Sequence, residues 1–460
     1  MSPTEQDNYS DVGPELDVSL THTNTTTSSS KITSDQTAMS GVENDKQLNG
    51  EEDFGLTPDV KDEEQPYKST RLTIRQFLKK ELIDDFHPCY FVSFLGCGIT
   101  GNIFYGFPYK ARWLEVCGII FFCITVFFFI VTSVMCVLSC WFYPRRMALY
   151  IHDYSHSLYF AVYSMGFSTI INGVNLLTQG RYPIFLWVLW WIGVVLAVMN
   201  TAVIFFFSFL SKFSAHRIAD INASIFMPVV CCCVVSSPGH LIAPELETRN
   251  QKIITEVTAL MLFFISIMLF HGVGAIFMVR LILCKIPSTS QIFTQFLPIG
   301  FVGQSSYSIM LFGNNMYDFI PDDALAKAFL VPSALGAYLL LAGGYIYLFI
   351  AIASCMSKSS PFAKNHDPDW TTKRFGLIKW NKGWWTMTFP VGTMSLANNE
   401  ISKGVAGYNF LFFKVMSAII GASLFIICII NLIGLSYCIW ERFYKAFFIK
   451  DHIDKVNQKV

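Results

Sequence analysis

Long apolar runs that alternate with shorter, interrupted ones constrain this chain more than any other feature. The run at 119–138, IIFFCITVFFFIVTSVMCVL, carries no charge along its length. At 1.5 Å of rise per residue, ~20 such residues cross the ~30 Å hydrocarbon core of a bilayer. A segment in hydrocarbon must satisfy its own backbone polar groups, and unbroken runs of this kind do so as helices. Ten candidate spans follow one another, at about 88–106, 114–141, 157–177, 183–210, 223–241, 253–283, 291–314, 326–356, 383–399 and 407–439. The chain is therefore read as an all-α polytopic membrane protein, in keeping with 53% hydrophobic and 14% charged residues.

The even spans are long and almost continuously apolar, which suits contact with lipid. The odd ones are shorter and interrupted: YSMGFSTIINGVN in the third, MPVVCCCVVSSPG in the fifth, LPIGFVGQSSYS in the seventh and GWWTMTFPVGTMSLANN in the ninth. Their centres recur about every 65 to 70 residues, with one longer interval before the ninth. The repeat predicts ten transmembrane helices as five hairpins, with inner odd-numbered helices around a central pore and outer even ones facing lipid. Helix breaks are expected at Gly98, Gly166, Pro228, Pro298, Gly303, Pro390 and Gly392.

Residues 1–66 are acidic and rich in Ser and Thr, and they read as a disordered cytoplasmic tail whose Ser/Thr run at 25–30 is a candidate target for a kinase. No basic-then-apolar leader opens the chain, so no cleavable signal peptide is expected. A basic amphipathic juxtamembrane segment follows at 67–87, then the transporter domain at 88–440 and a short cytoplasmic tail at 441–460. Alternate loops place Arg145, Arg146, Lys212, Arg217, Arg280, Lys285, Lys358, Lys364, Lys373, Arg374, Lys379 and Lys382 on the side of both termini, whereas the opposite loop at 318–327 is acidic. The positive-inside rule makes both termini cytoplasmic.

An enzyme needs a nucleophile with its base, paired carboxylates or metal ligands converging on one place. The odd spans hold no Asp, Glu, Lys or Arg at mid-depth. The cysteines, three of them in a row at 231–233, lack zinc spacing and read as small buried hydrophobes. Neither catalytic residues nor a metal, a cofactor or a nucleic-acid partner are expected. Hydroxyls, amides and helix N-termini without carboxylate rings suit an anion, and the candidate lining comprises Asn102, Ser164, Ser168, Asn172, Ser236, Gln304, Thr388 and Thr393. Ser164, Ser168 and Asn172 share one helix face, as a pore wall requires and as a polar seam between helices would also produce. Phe389, just before Pro390, is a candidate gate or a packing residue. Two intramembrane ionisable residues stand apart. His271 reads as a bond between neighbouring helices or a proton-coupling group, and Lys414 as a snorkelling or paired cation or part of an electropositive outer vestibule.

The strings GITGNIFYGFPYKARW at 98–113, YSMGFSTIIN at 163–172, IPSTSQIFTQFLPIGFVGQSSYSIMLF at 286–312 and TMTFPVGTMSLANNE at 386–400 closely resemble the fungal sulfite efflux pumps. Those belong to the tellurite-resistance/dicarboxylate transporter (TDT) family, related to plant slow anion channels, and the similarity runs from about residue 84 to 442. The resemblance implies five hairpins around an anion pore, a homotrimer in the lipid bilayer of the plasma membrane, and sulfite or another small inorganic anion as cargo. It also implies that Phe389, in its WWxxTFP context, occludes the pore. One departure stands out, because those pumps often read Gly-Pro-x-Gly-Gln in the seventh helix where this chain has Gly300-Phe301-Val302-Gly303-Gln304 with its proline earlier, at Pro298. A malate carrier or a chloride-type channel on the same fold is the alternative; a dicarboxylate carrier would want a fixed cation in the inner helices, and none is visible there.

Overall fold

The computed structural model describes residues 79–210, 218–359, 378–405 and 408–444. The acidic tail, most of the juxtamembrane segment, the residues after 444, and the loop cations Lys212, Arg217, Lys364, Lys373 and Arg374 lie outside them. Among the described residues there is no β-strand, only an isolated bridge between Val405 and Tyr408.

Ten helices occupy the ten expected segments: α1 (Phe91–Tyr105), α2 (Arg112–Phe142), α3 (Tyr154–Thr178), α4 (Pro183–Val203), α5 (Met227–Ile242), α6 (Arg249–Cys284), α7 (Leu297–Phe319), α8 (Asp323–Ser357), α9 (Thr388–Ser402) and α10 (Leu411–Tyr444). A two-turn helix, Arg145–His152, joins α2 to α3, and α4 runs on into a π-helical turn, Ile204–Phe209. Seven of the described segments are long and apolar enough to cross a membrane. The other three are α1, α7 and α9, of which α1 and α9 have only 15 residues each.

Even and odd helices differ in what surrounds them. Only 22% of the apolar window of α2 and of α8 is buried, against 94% for the segment Ala223–Glu245 that contains α5. Phe127, Val137 and Trp141 on α2 and Leu339 and Phe349 on α8 stand exposed. Water would make such a surface an aggregation hazard, whereas lipid makes it the natural outer wall. Each even helix packs on the odd helix before it, and the odd helices meet one another in the cyclic order α1, α3, α5, α7, α9 and back to α1. The result is a closed ring of five inner helices with five outer helices around it.

Four of the five inner helices begin alike. A 3-10 segment precedes α1 (Pro88–Tyr90), α5 (Ala223–Phe226), α7 (Ile292–Phe296) and α9 (Lys382–Met387). In three of these the preceding side chain accepts the N–H two residues on: His87 from Cys89 at 3.0 Å, Asn222 from Ser224 at 2.9 Å and Asn381 from Gly383 at 2.8 Å. These bonds satisfy helix-start donors that would otherwise be orphaned. Where 3-10 passes to α-helix, proline enters at Pro228, Pro298 and Pro390, within the first three residues of α5, α7 and α9. Proline is tolerated there because those N–H groups have no intrahelical acceptor.

Candidate functional site

The side chain before each of those prolines points toward the ring axis. Met227, Leu297 and Phe389 enclose one small cavity together with Val92 and Leu95 from α1, Val162 and Met165 from α3, Phe226 and Val230 on the α5 side, Gly300 of α7, and Thr386. All five odd helices, or the turns that lead into them, thus contribute to a single wall, near the N-terminal ends of α1, α5, α7 and α9 and at the middle of α3. The wall is apolar apart from Thr386. The space open to the centre of a water-sized sphere is only ≈ 20 Å³, enough for about one water. A hydrated ion does not fit, and a dehydrated one meets hydrocarbon on every side, so the ring is shut here.

Phe389 is 5% exposed. Its Cδ1 and Cε1 lie 3.5 Å from where a Cβ on Gly300 would stand, so the ring seats against the bare backbone of α7. Pro298, the displaced proline of the seventh helix, sits at the 3-10 to α junction directly after Leu297 of the wall.

The structure places seven of the eight expected polar lining residues elsewhere, at contacts within and between helices. Asn102 Nδ2 donates to the Thr169 carbonyl of α3 at 3.0 Å. Ser164 donates to the Ala161 carbonyl, accepts from Asn200 of α4 at 3.2 Å and touches the Cys231 thiol of α5 at 2.8 Å. Ser168 bonds the Ser164 carbonyl. Ser236 donates to the Ala259 carbonyl of α6 at 2.7 Å and meets Ser308 of α7 at 2.8 Å, while Gln304 Nε2 donates to Ser237 Oγ at 2.7 Å. Thr388 and Thr393 bond back to the carbonyls of Trp385 and Pro390, the usual behaviour of hydroxyls in apolar helices. Asn172 differs: its Oδ1 is buried with no hydrogen-bond partner among the described residues.

The glycines expected to break helices do not. Gly98, Gly166, Gly303 and Gly392 lie inside continuous helices and let neighbouring inner helices approach closely. A Cβ on Gly303 would stand 3.0 Å from the backbone nitrogen of Met394 and 2.8 Å from Thr393 Oγ1. Gly392 likewise faces Ile99, Gly98 faces Thr169, and Gly166 faces the ring of Phe94.

The ionisable residues also need revision. His271 is exposed and bonds the Ile267 carbonyl of its own helix at 2.7 Å rather than a neighbouring helix. Lys414 sits 4.8 Å from the Tyr109 ring centroid and lines an open cleft with Lys403 and Asn399. Four others are buried: His240, Glu256, Arg280 and Glu400. His240 Nδ1 meets Glu256 Oε2 at 2.6 Å, and Asn315 Nδ2 bonds both Glu256 Oε1 and the His240 carbonyl, tying α5, α6 and α7 together. Glu400 of α9 accepts from Asn314 of α7 at 3.0 Å and pairs with Lys403 at 2.6 Å. These residues escape a reading of the sequence because they sit near predicted span ends, where charge reads as interfacial; His240, inside the fifth span, is the letter from which the first cluster could have been found.

Below the cavity, toward the N-terminal ends of the odd helices, lies a larger cleft of ≈ 340 Å³ walled by His87, Tyr90, Ser93, Tyr159, Lys382 and Trp385 among others, sharing Val92 and Thr386 with the cavity above. Burial, together with the neighbouring His156 and the Lys382 ammonium, lowers the His87 pKa to about 4, so its ring is neutral near pH 7.

Comparison with known proteins identifies the scaffold. Residues 85–436 match the family described as SLAC1, voltage-dependent anion channel. The chain is similar to the sulfite efflux pump SSU1 of Candida albicans, 42% identical over 383 residues that cover 83% of this chain and 78% of that protein. It is also similar to the sulfite efflux pump SSU1 of Saccharomyces cerevisiae, 29% identical over 74% of this chain and 84% of the relative, and to that of Trichophyton rubrum, 26% identical over 73% and 85%. A ring of five helical hairpins closed on its axis by apolar side chains, matched along nearly the whole helical region, places this chain in the SLAC1 family of anion channels, together with the fungal sulfite efflux pumps.

Proposed function

We propose that the protein is a plasma-membrane transporter that exports sulfite along the axis of its inner ring. The observation that carries the proposal is the convergence of all five odd helices on one closed apolar constriction, in a chain 42% identical to a sulfite efflux pump. All ten helices cross the bilayer, both termini are cytoplasmic, and the cleft bearing Lys382 opens to the cytoplasm. Phe389 is the gate: its ring fills the axis, and its displacement opens a path that the packed glycine seams leave otherwise unchanged. A membrane potential that is negative inside favours exit of an anion by ~2.3 kcal/mol per charge per 100 mV, so export needs no coupled ion. The lining expected at Asn102, Ser164, Ser168, Asn172, Ser236, Gln304, Thr388 and Thr393 acts in this reading chiefly by holding the inner helices in register, with the free Oδ1 of Asn172 the exception. Assembly as a homotrimer and control by a kinase acting on the N-terminal tail belong to the same reading, resting on the family resemblance and on the Ser/Thr run at 25–30.

The test is flux of sulfite, malate and chloride through the purified protein in liposomes, with voltage and pH gradient clamped separately. The expected result is sulfite flux that follows voltage and ignores the proton gradient. Preference for malate, or dependence on the proton gradient, contradicts the reading.

A further inference from the structure

The cleft beneath the constriction has the composition of a binding site rather than of a neutral antechamber. Its one permanent charge is the ammonium of Lys382, whose Nζ donates to the Tyr90 hydroxyl at 2.9 Å and lies 4.5 Å from the centroid of that ring. The contact holds the cation at the wall and leaves its other two N–H bonds unassigned. Because Tyr90 Oη accepts from Lys382, its own proton is directed away from the ammonium. His87 Nδ1 accepts the Cys89 N–H at 3.0 Å, so the neutral ring carries its proton on Nε2, as a donor. The Tyr159 hydroxyl lines the same cleft and makes no hydrogen bond among the described residues.

Four residues that can donate, two of them tyrosines, therefore wall a space of ≈ 340 Å³, and no carboxylate is among the described residues that wall it. Asp153, an acid that acts on His87, is engaged by His156 at 2.5 Å and accepts from Ser155, and the His156 ring lies tilted against His87 with centroids 4.4 Å apart. Several donors, one fixed positive charge and no carboxylate beside them together describe a site for a small oxyanion. The cleft shares Val92 and Thr386 with the constriction, so an anion held here is already in line with Phe389.

We propose that Lys382, Tyr90, His87 and Tyr159 form the loading site at which sulfite or bisulfite binds before it crosses the constriction. The site supplies the fixed cation that the inner spans themselves lack, and it lies just ahead of the ninth span. Leu435 also walls the cleft and offers no polar partner to a second carboxylate. The inference rests on the transport reading above, and the two fail separately.

The experiment measures the initial rate of sulfite flux in liposomes against sulfite concentration at the face that bears Lys382, for wild type, K382Q, K382R and Y159F. K382Q is expected to raise the half-saturating sulfite concentration about tenfold, corresponding to ~1.4 kcal/mol of binding, with a smaller fall in maximal rate. K382R is expected to restore it to near the wild-type value, and Y159F to raise it about threefold, the size of one ordinary net hydrogen bond at the weak end. Unchanged half-saturation in both K382Q and Y159F, with wild-type sulfite flux intact, overturns the loading site and leaves the transport reading standing. Wild-type protein that moves no sulfite overturns both.

Discussion

Where the inner helices begin, the ring closes on Val92, Met165, Met227, Leu297 and Phe389; where they end, hydrogen bonds tie helix to helix. At that second end Asn315 joins His240 and Glu256, Asn314 joins Glu400, and the Tyr345 hydroxyl donates to Asn398 at 2.6 Å. Dispersion contacts between flexible side chains are individually weak and reform in many geometries, whereas a buried hydrogen-bonded charge tolerates little displacement without becoming an unpaired one. The apolar end of the ring therefore costs less to rearrange than the hydrogen-bonded one. A gate placed at the fixed end would have to break buried polar bonds at each opening; placed at the apolar end, it needs only a rotamer change.

That contrast is broken most severely at Glu256. E256A leaves His240 and Asn315 without their shared acceptor, and a broken buried pair costs about 3–5 kcal/mol. The expected outcome is a large loss of folded protein, read as a lower thermal midpoint and lower yield in detergent. Replacements within the apolar constriction, such as M227L, are expected to leave that midpoint nearly unchanged, since volume-conserving swaps cost less than ~1.5 kcal/mol. If M227L destabilises as much as E256A, the two ends are not mechanically distinct.

Helix spacing gives a smaller effect. G303A puts a methyl against the backbone of α9, which cannot retreat as a side-chain tip can, and is expected to cost about 1–3 kcal/mol. Gly272, on lipid-facing α6, has no atom within 4 Å of a built Cβ, so G272A is expected to be neutral or to stabilise by up to ~1 kcal/mol through helix propensity. Equal effects at the two positions would remove close approach as the reason for Gly303.

The last effect belongs to His87 and is confined to acid pH. Its pKa is lowered from 6.5 to about 4 in the folded protein, so between those values the unfolded chain binds a proton that the native one does not. Stability attributable to this residue is therefore present above pH 6.5 and declines as pH falls toward 4. H87Q should flatten the acid limb of a plot of thermal midpoint against pH without shifting its neutral plateau; an unaltered acid limb would mean that His87 is not protected from protonation.

Much of this was legible in the sequence, and the illegible part has a physical pattern. Helices were readable because each span is a long uniform signal: the expected 183–210 against the observed Pro183–Phe209 differs by one residue. The inner and outer roles were readable from interruption by Gly, Pro and hydroxyls. What those interruptions do was not. A glycine such as Gly392 has the same letter whether it bends a helix or admits Ile99 of a neighbour, and Ser164 at a helical spacing has the same letter whether it faces water or Asn200. Distinguishing them requires knowing which helix lies opposite. The constriction was harder still, because Met227 and Leu297 are ordinary apolar residues whose meaning comes from sharing with Phe389 the place before a proline.

The most direct test of the account is voltage-clamped sulfite flux through purified F389A in liposomes, compared with wild type and with an equally stable control such as G272A. Phe389 as the gate predicts flux higher by about tenfold or more, a barrier lowered by at least ~1.4 kcal/mol, with the same dependence on voltage and the same indifference to the proton gradient. Flux equal to wild type in a well-folded F389A protein would contradict the axial constriction as the barrier to transport.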